Sequence, residues 1–148
     1  MKLYRVYGLN GCRMLLHDKT TRYRITKIDI VQDIVNNFGI PILNTFDNVH
    51  TYSKKVFKEK FNNNRSQGII IEFLADYDSQ FDFNAVVKKD HCIVILDSIN
   101  DPQNLGQIMR TCECAGIDSI VLPSNSSISI TNTVLQISQG AFTNVNIY

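Results

Sequence analysis

An α/β chain in two parts is what this sequence predicts, and three observations predict it. Segments with strand-like and helix-like apolar spacing alternate along most of the 148 residues. Between His91 and Leu122 an apolar run, a capped helical segment and a second apolar run follow one another, as a β-α-β unit requires. Charge is divided as well. Residues 1–74 hold twelve Lys/Arg and six Asp/Glu, a balance of +6, whereas residues 91–148 hold one Arg and four acids, a balance of −3. The net charge of +1 conceals that split, which suits a basic half that meets phosphates and an apolar half that does not. An unevenly charged soluble surface is the competing reading.

From the N-terminus, residues 4–16 start with strand-like alternation and turn helical over Gly11–Leu16, and Thr26–Ile30 reads as a short strand. Asp33–Phe38 sets Ile34, Val35 and Phe38 on one side of a helix that stops at Gly39, and Ile40–Leu43 then reads as an extended strand around Pro41. Val49–Phe61 reads as one basic amphipathic helix, with Tyr52, Val56, Phe57 and Phe61 against Lys54, Lys55, Lys58 and Lys60. Taken alone, such a helix is docked by its aromatics and leaves its lysines in water. Asn62–Arg65 is a turn and Gly68–Leu74 an apolar strand.

Residues 76–89 are polar, carry Asp76, Asp78, Asp82, Lys88 and Lys89, and keep no sustained period despite Phe81 and Phe83. They read as a linker, which divides the chain into a domain over 1–74, a linker over 75–90 and a domain over 91–148. In the last of these, His91–Asp97 has the near-continuous apolar character of a buried parallel strand, and Ile117–Leu122 supplies the next. Ser124–Ser129 is a loop, Thr131–Ser138 a helix, and Asn144–Tyr148 the start of a further strand. A chain that stops inside an apolar strand is expected to be truncated.

The run DPQNLGQIMRT, Asp101–Thr111, concentrates the chemistry. Asn104 and Gln107 stand at capping-box spacing, so a helix is expected to open at about Leu105. Leu105, Ile108, Met109, Cys112 and Ala115 then form an apolar stripe, which turns Gly106 and Arg110 onto another face. Helical side chains lean toward the N-terminus, so Arg110 is expected over the bare Gly106 position, with its guanidinium near the Asp101–Asn104 loop. There the free N–H groups of a helix start already favour anions. Arg110 is the only Lys or Arg after Lys89. On spacing alone, a solvated arginine beside an ordinary cap is the plainer reading. The apolar strand before it raises the functional one, because ligands of open α/β sheets sit beyond the carboxyl ends of the strands.

Other classes are set aside by composition. Cys12, Cys92, Cys112 and Cys114 come without a signal peptide or regular spacing, which predicts a reduced, cytoplasmic chain. Cys112 and Cys114 would point different ways on a helix, so no metal site is expected. The sequons at Asn64 and Asn125 are read as accidental, since Met1–Leu9 lacks an export signal, and no apolar run is long enough to span a membrane.

VILDSINDPQNLGQIMRTCECAGIDSIVL resembles the first signature of the SpoU (TrmH-like) branch of the SPOUT RNA methyltransferases. Asp97, Asp101, Pro102, Asn104, Gly106, Arg110, Thr111 and Gly116 stand in register with it, and Ser138, Gly140 and Ala141 match the Ser-x-Gly-Ala segment that follows. YGLNG at Tyr7–Gly11, NNFGIPI at Asn36–Ile42 and SQGIII at Ser66–Ile71 resemble elements of the substrate-binding domain many such enzymes carry, with Ser66 in place of the usual histidine.

The resemblance implies a small N-terminal α/β substrate-binding domain followed by a partial SPOUT-type parallel α/β domain. That domain lacks the C-terminal trefoil knot, because the glycine-rich loop and the Ser-Leu-Asn-Val-Ser segment of the family do not occur here. It implies methyl transfer from S-adenosylmethionine to a ribose 2′-hydroxyl of ribosomal RNA, 23S rRNA first, with transfer RNA as the second candidate. Arg110 and Asn104 are the implied catalytic residues, and Asn10, Arg13, Arg65 and Gln67 the implied RNA contacts; no cofactor-binding residue is assigned. Family members are homodimers through the knot. With the cofactor signatures absent, the chain is expected to be inactive alone. A non-catalytic RNA-binding module and a small nucleotide-binding or interaction protein are the two competing classes.

Overall fold

The computed structural model describes residues 1–77, 81–86, 90–125 and 127–148. The chain divides into two compact units, Met1–Ala75 and Asp76–Tyr148.

The first unit is a four-stranded mixed sheet with helices. Strand β1 (Lys2–Tyr7) leads to α1 (Leu9–His17), then β2 (Arg24–Val31), the short helices α2 (Val35–Phe38) and α3 (Ile40–Leu43), β3 (Val49–Tyr52), α4 (Lys54–Phe61) and β4 (Ile69–Ala75). The sheet order is β1-β4-β2-β3, with β4 antiparallel to both neighbours and β3 parallel to β2. Central position explains the composition of β4: Ile69, Ile70, Ile71, Phe73 and Ala75 are all buried, whereas edge strand β1 buries only Tyr4 and Val6. Each such large side chain contributes roughly 1.5–3 kcal/mol by leaving water. Helix α1 buries Cys12, Leu15 and Leu16 at helical spacing.

Two expectations fail here for local reasons. Ile40–Leu43 is a helical turn rather than a strand: the Gly39 carbonyl accepts from Ile42 N at 3.1 Å, and Pro41 sits in a first turn, where its missing N–H is no loss. Four apolar residues carry too little periodicity to separate the two states. Val49–Tyr52 is strand, paired with Ile28–Val31, and the helix starts only after Ser53, whose Oγ accepts from Val56 N at 3.4 Å. The β-branched and aromatic content of Val-His-Thr-Tyr won over the helical spacing.

The second unit contains α5 (Phe83–Val86), β5 (Ile93–Ile95), α6 (Pro102–Cys114), β6 (Ser119–Val121), α7 (Asn132–Ile137) and β7 (Asn146–Ile147). Its sheet, in the order β5-β6-β7, is parallel throughout, so β5-α6-β6-α7-β7 is two successive β-α-β units. Ile120 lies at the centre of this sheet and is fully buried with Leu105, Met109, Val134, Leu135 and Phe142. Thr131 caps α7, its hydroxyl accepting from Val134 N at 3.3 Å. The first strand is shorter and barer than its sequence suggests. Strand β5 lies at the sheet edge and Ile95 is 76% exposed, so its apolar run is not that of a fully covered strand.

The segment expected to be a linker also differs from that expectation. Residues from Asp76 onward cluster with the second unit, Phe83–Val86 form a helical turn, and the Phe81 ring meets Tyr148 edge-on at 5.3 Å. An aromatic that finds a ring partner in the fold turns a polar stretch into part of a domain. Asp78, Lys88 and Lys89 lie outside the described residues.

Candidate functional site

Helix α6 opens three residues earlier than its capping-box spacing suggests. Asp101 is the N-cap: its backbone is extended, its Oδ1 accepts from Gln103 N at 2.8 Å, and its carbonyl receives Leu105 N at 3.1 Å. Pro102 takes the first helical position, which its fixed φ favours. Asn104 therefore stands in the first turn with its side chain exposed, and it caps nothing. Aspartate caps as well as asparagine does, and the proline behind it decides the register.

The stripe of α6 is buried at Leu105, Met109 and Cys112, half-buried at Ile108 and exposed at Ala115, which caps the C-terminal end. Gly106 is buried, and its bare position is occupied from the other side: a Cβ there would lie 2.6 Å from Cβ and Cγ2 of Ile137 and 3.0 Å from the Val134 carbonyl. Helix α7, not Arg110, fills the space the glycine leaves. Arg110 is exposed, and among the described residues no hydrogen bond or ion pair holds its guanidinium, so the expected contact with the Asp101–Asn104 loop is not formed. Arg110 is the one arginine of the second unit.

The carboxyl edge of the parallel sheet is built from two loops. After β5, Ser98 takes a left-handed backbone (φ 56°) and donates to Asp97 Oδ1 at 3.0 Å, and Ile99 O accepts from Ile128 N at 2.7 Å. That bond ties the loop after β5 to the Ser-rich loop after β6. Beyond β6, Leu122 N donates to Tyr148 O at 2.8 Å. A cavity of about 520 Å³ opens at these strand ends, with Val121, Leu122, Ser127, Ile130 and Tyr148 in its wall and Phe81 beside them. Ser127 Oγ is buried there without a hydrogen-bond partner among the described residues. Asn104 and Arg110 do not line this cavity. Sequence reasoning passed over Ser127 and Tyr148, although the rule that ligands sit beyond the carboxyl ends of parallel strands applies to the loop after β6 as much as to the one after β5.

In the first unit, the YGLNG and SQGIII segments meet. Gly8 N donates to Ser66 O at 3.0 Å, and Leu9 N donates to Gln67 Oε1 at 2.9 Å. Gln67 thus helps start α1, and it brings Asn10, exposed in the first turn of that helix, beside the turn that carries Arg65. Arg65 is exposed. Arg13 is exposed too, but it serves its own domain: its guanidinium lies 5.7 Å from the centre of the Phe38 ring and donates to Asn37 O at 3.5 Å. Ser66 is a structural turn residue, buried and donating to Asn63 O at 2.7 Å.

A basic mixed-sheet unit followed by an acidic unit of parallel β-α-β repeats, with an exposed arginine on the helix between its first two strands, defines the class: a two-unit α/β protein. Comparison with known proteins shows what the chain is similar to. Residues 91–148 match the model of the SpoU rRNA Methylase family. Among curated proteins the chain is 25% identical over 150 residues to the 23S rRNA (guanosine-2'-O-)-methyltransferase RlmB of Shewanella oneidensis, covering 97% of this chain and 60% of that protein. It is 35% identical over 71 residues to a Staphylococcus saprophyticus protein named for the TrmH family of tRNA/rRNA methyltransferases, covering 48% of this chain and 28% of that one.

Solved structures share the fold. The AdoMet-bound rRNA methyltransferase of Sinorhizobium meliloti aligns with a TM-score of 0.70 at 20% identity over 98% of this chain and 53% of its own. The SpoU methyltransferase AviRb of Streptomyces viridochromogenes, in complex with AdoMet, aligns with a TM-score of 0.72 at 12% identity over 97% and 52%. The chain therefore spans about half of each solved chain and no more than 60% of these curated relatives.

Proposed function

We propose that this chain serves 2′-O-ribose methylation of RNA, the first unit capturing the RNA and the second offering Arg110 to its sugar-phosphate. The observation behind this reading is the Asp101–Thr111 motif itself. It lies on a helix that springs from the carboxyl edge of a parallel sheet, and its arginine is exposed and unengaged. The names of the relatives support ribosomal RNA as the substrate class, 23S rRNA first and transfer RNA second. Asn10, Arg65 and Gln67 form the contact set of the first unit, with Arg13 at its margin.

A ribose hydroxyl attacks a methyl group only as its proton leaves or is polarised, and only with donor and acceptor held in line. Arg110 is no base, because a guanidinium keeps its proton to a pH above about 12. Its fixed charge instead anchors the neighbouring phosphate and stabilises the negative charge growing on the 2′-oxygen. Asn104, six residues earlier and exposed in the first turn of the same helix, is offered to the ribose.

S-adenosylmethionine supplies the activated methyl group on its sulfonium. The cavity at the strand ends fits its adenosyl part: about 520 Å³ lies within the usual range for small-molecule sites, and Ser127 Oγ is a buried hydroxyl in want of a partner. Ser127 and Tyr148 would hold it. The lining holds no acidic group among the described residues, and the glycine-rich loop and Ser-Leu-Asn-Val-Ser segment are not in the sequence. The 148 residues alone are therefore expected to bind RNA well, S-adenosylmethionine weakly, and to transfer no methyl groups. Homodimerisation through a knot is not part of this reading.

Calorimetric titration with a structured RNA and, separately, with S-adenosylmethionine tests it. RNA binding with weak cofactor binding supports the proposal; RNA binding with no cofactor binding at all favours a non-catalytic RNA-binding module. That second reading is favoured by one observation, that Arg110 and Asn104 stand outside the cavity wall. Failure to bind any structured RNA sinks both. In a preparation that does transfer methyl groups, Arg110→Ala should abolish transfer and leave RNA affinity largely intact.

A further inference from the structure

We infer that the outer face of α4 is a docking surface for the phosphate backbone of RNA, with Lys54, Lys55 and Lys58 as its contacts. This deepens the RNA-capture reading of the first unit and rests on it, but it uses residues that no resemblance assigns.

Helix α4 is held firmly from beneath. Phe57 is buried, its ring 4.7 Å from that of Phe61, and both meet Tyr52 edge-on at 6.1 and 5.9 Å. Lys60 belongs to this inner contact, donating to Tyr52 Oη at 2.7 Å. The other three lysines are exposed, and among the described residues none of them makes a hydrogen bond or ion pair. At 3.6 residues per turn they fall in one sector of the helix, with about 5–6 Å between Cβ atoms three or four positions apart.

Their placement is electrostatically poor for the helix itself. Lys54 and Lys55 occupy the first turn, which holds no acidic residue, so two cations face the positive end of the helix dipole. Lys58 then repeats the charge four residues after Lys54 and three after Lys55, a spacing at which like charges repel. The single acid, Glu59, follows Lys55 by four, the less favourable order for a helical pair. A stretch that breaks three local rules at once, on a helix otherwise well capped and well packed, points to an outside partner that relieves the strain. A polyanion does so, because each lysine that meets a phosphate loses its repulsion and releases a counterion.

The surface also leads toward the contacts already proposed. Helix α4 ends at Phe61 with Asn62 as its cap, and the turn that follows carries Arg65 directly into Gln67. An anionic membrane is the poorer partner. A helix lying on lipid turns an apolar face outward, whereas Phe57 and Phe61 face the sheet and only Val56 is an exposed apolar residue of α4.

The test uses the full chain, a labelled RNA hairpin and a salt series. Lys54→Gln/Lys55→Gln/Lys58→Gln should weaken binding by about tenfold or more and flatten the slope of log affinity against log salt by about 2, given a slope of about 0.7–0.9 per phosphate contact. A control of equal charge, Lys2→Gln/Lys19→Gln/Arg24→Gln, should do neither. If wild type binds the hairpin and both variants behave alike, this inference falls while RNA capture stands. If wild type does not bind the hairpin, both fall. Lysine-dependent binding to phosphatidylserine vesicles without RNA binding replaces the partner and overturns the proposal. The triple variant should melt no lower than wild type, since it relieves repulsion; a clear drop would mark the lysines as structural and overturn it too.

Discussion

Gly106 of α6 and Ile137 of α7 stand so close that a Cβ on the glycine would lie 2.6 Å from the isoleucine Cβ. The contact is with branched side chain near its root and with the backbone carbonyl of Val134, neither of which can swing aside. The glycine that stands in register with the SpoU signature is thus a packing device, which lets two helices of the parallel unit approach.

Gly106→Ala sets two effects against each other. Alanine gains up to about 1 kcal/mol in helix propensity, and overpacking costs about 1–3 kcal/mol. The clash should win, and the melting temperature of the second unit should fall; an unchanged or raised midpoint would mean that α6 and α7 can spread at little cost. Gly116→Ala should also destabilise, by about 1–2 kcal/mol, but for another reason: nothing lies within 4 Å of its added methyl, and the loss comes from a backbone φ of +71° after the helix end.

Asp101 and Arg110 should separate stability from function on one helix. Asp101→Ala removes the side-chain acceptor of Gln103 N and should cost about 0.5–2 kcal/mol. Arg110→Ala removes an exposed group with no partner among the described residues, and its effect on stability should stay within about 0.5 kcal/mol. Chemical denaturation reads both. A large loss for Arg110→Ala would show that the guanidinium serves the fold, and its proposed role toward phosphate would lose its basis.

How much was legible in the sequence depended on how many levels agreed. The β-α-β core was readable because apolar runs and helical stripe pointed one way, and Thr131–Ser138 and Gly68–Leu74 were readable from their apolar spacing. Ile40–Leu43 was misread because a four-residue apolar run has no period to measure, and Val49–Tyr52 because aromatic spacing in the next helix extended a helical pattern backward across Ser53. The cap of α6 was misplaced by three residues because both Asp101 and Asn104 suit it, and only the proline distinguishes them. The site was legible as a motif and not as a place. No local pattern tells that α7 fills the gap above Gly106, or that the cavity wall comes from Ser127, Tyr148 and a phenylalanine taken for linker.

The cysteines should report burial directly. Cys12 is fully buried, and burial pushes its thiol far above the ordinary range; Cys112 is raised as well, by burial first and by the nearby Cys92 second. Cys92 and Cys114 are exposed. A thiol reagent followed by peptide mass spectrometry should label Cys92 and Cys114 quickly, Cys112 slowly, and Cys12 only on unfolding. Equal rates at Cys12 and Cys92 in the native chain would contradict the packing of α1. The same shift has a sign in stability. The unfolded thiol loses its proton near pH 8.5 while the folded one keeps it, so stability should decline as pH rises beyond that point, and Cys12→Ala should reduce the decline.

Asp29 offers the sharpest test of the first unit, because it is a carboxylate only 2% exposed that stands between two donors. Lys27 Nζ lies 2.8 Å from its Oδ2, and Tyr52 Oη donates to its Oδ1 at 2.8 Å while accepting from Lys60. Tyr52→Phe keeps the ring that Phe57 and Phe61 pack against and deletes only the hydroxyl, leaving the buried carboxylate one donor short. That should cost about 1–3 kcal/mol, and it frees Lys60 from the chain that ties α4 to the sheet. Hydrogen exchange should then speed up in α4 more than in α1. The hydrogen bond to Asp29 also raises the Lys27 pKa against the opposing effect of burial. A raised lysine stabilises the fold fully below its unfolded value, about 10.4, and the contribution is lost as pH climbs through the folded one. Denaturation midpoints should therefore fall in the alkaline range for wild type and fall less for Lys27→Gln. Equal alkaline slopes in the two proteins would show that the lysine gains nothing from its partner and that Tyr52 alone sustains the buried charge.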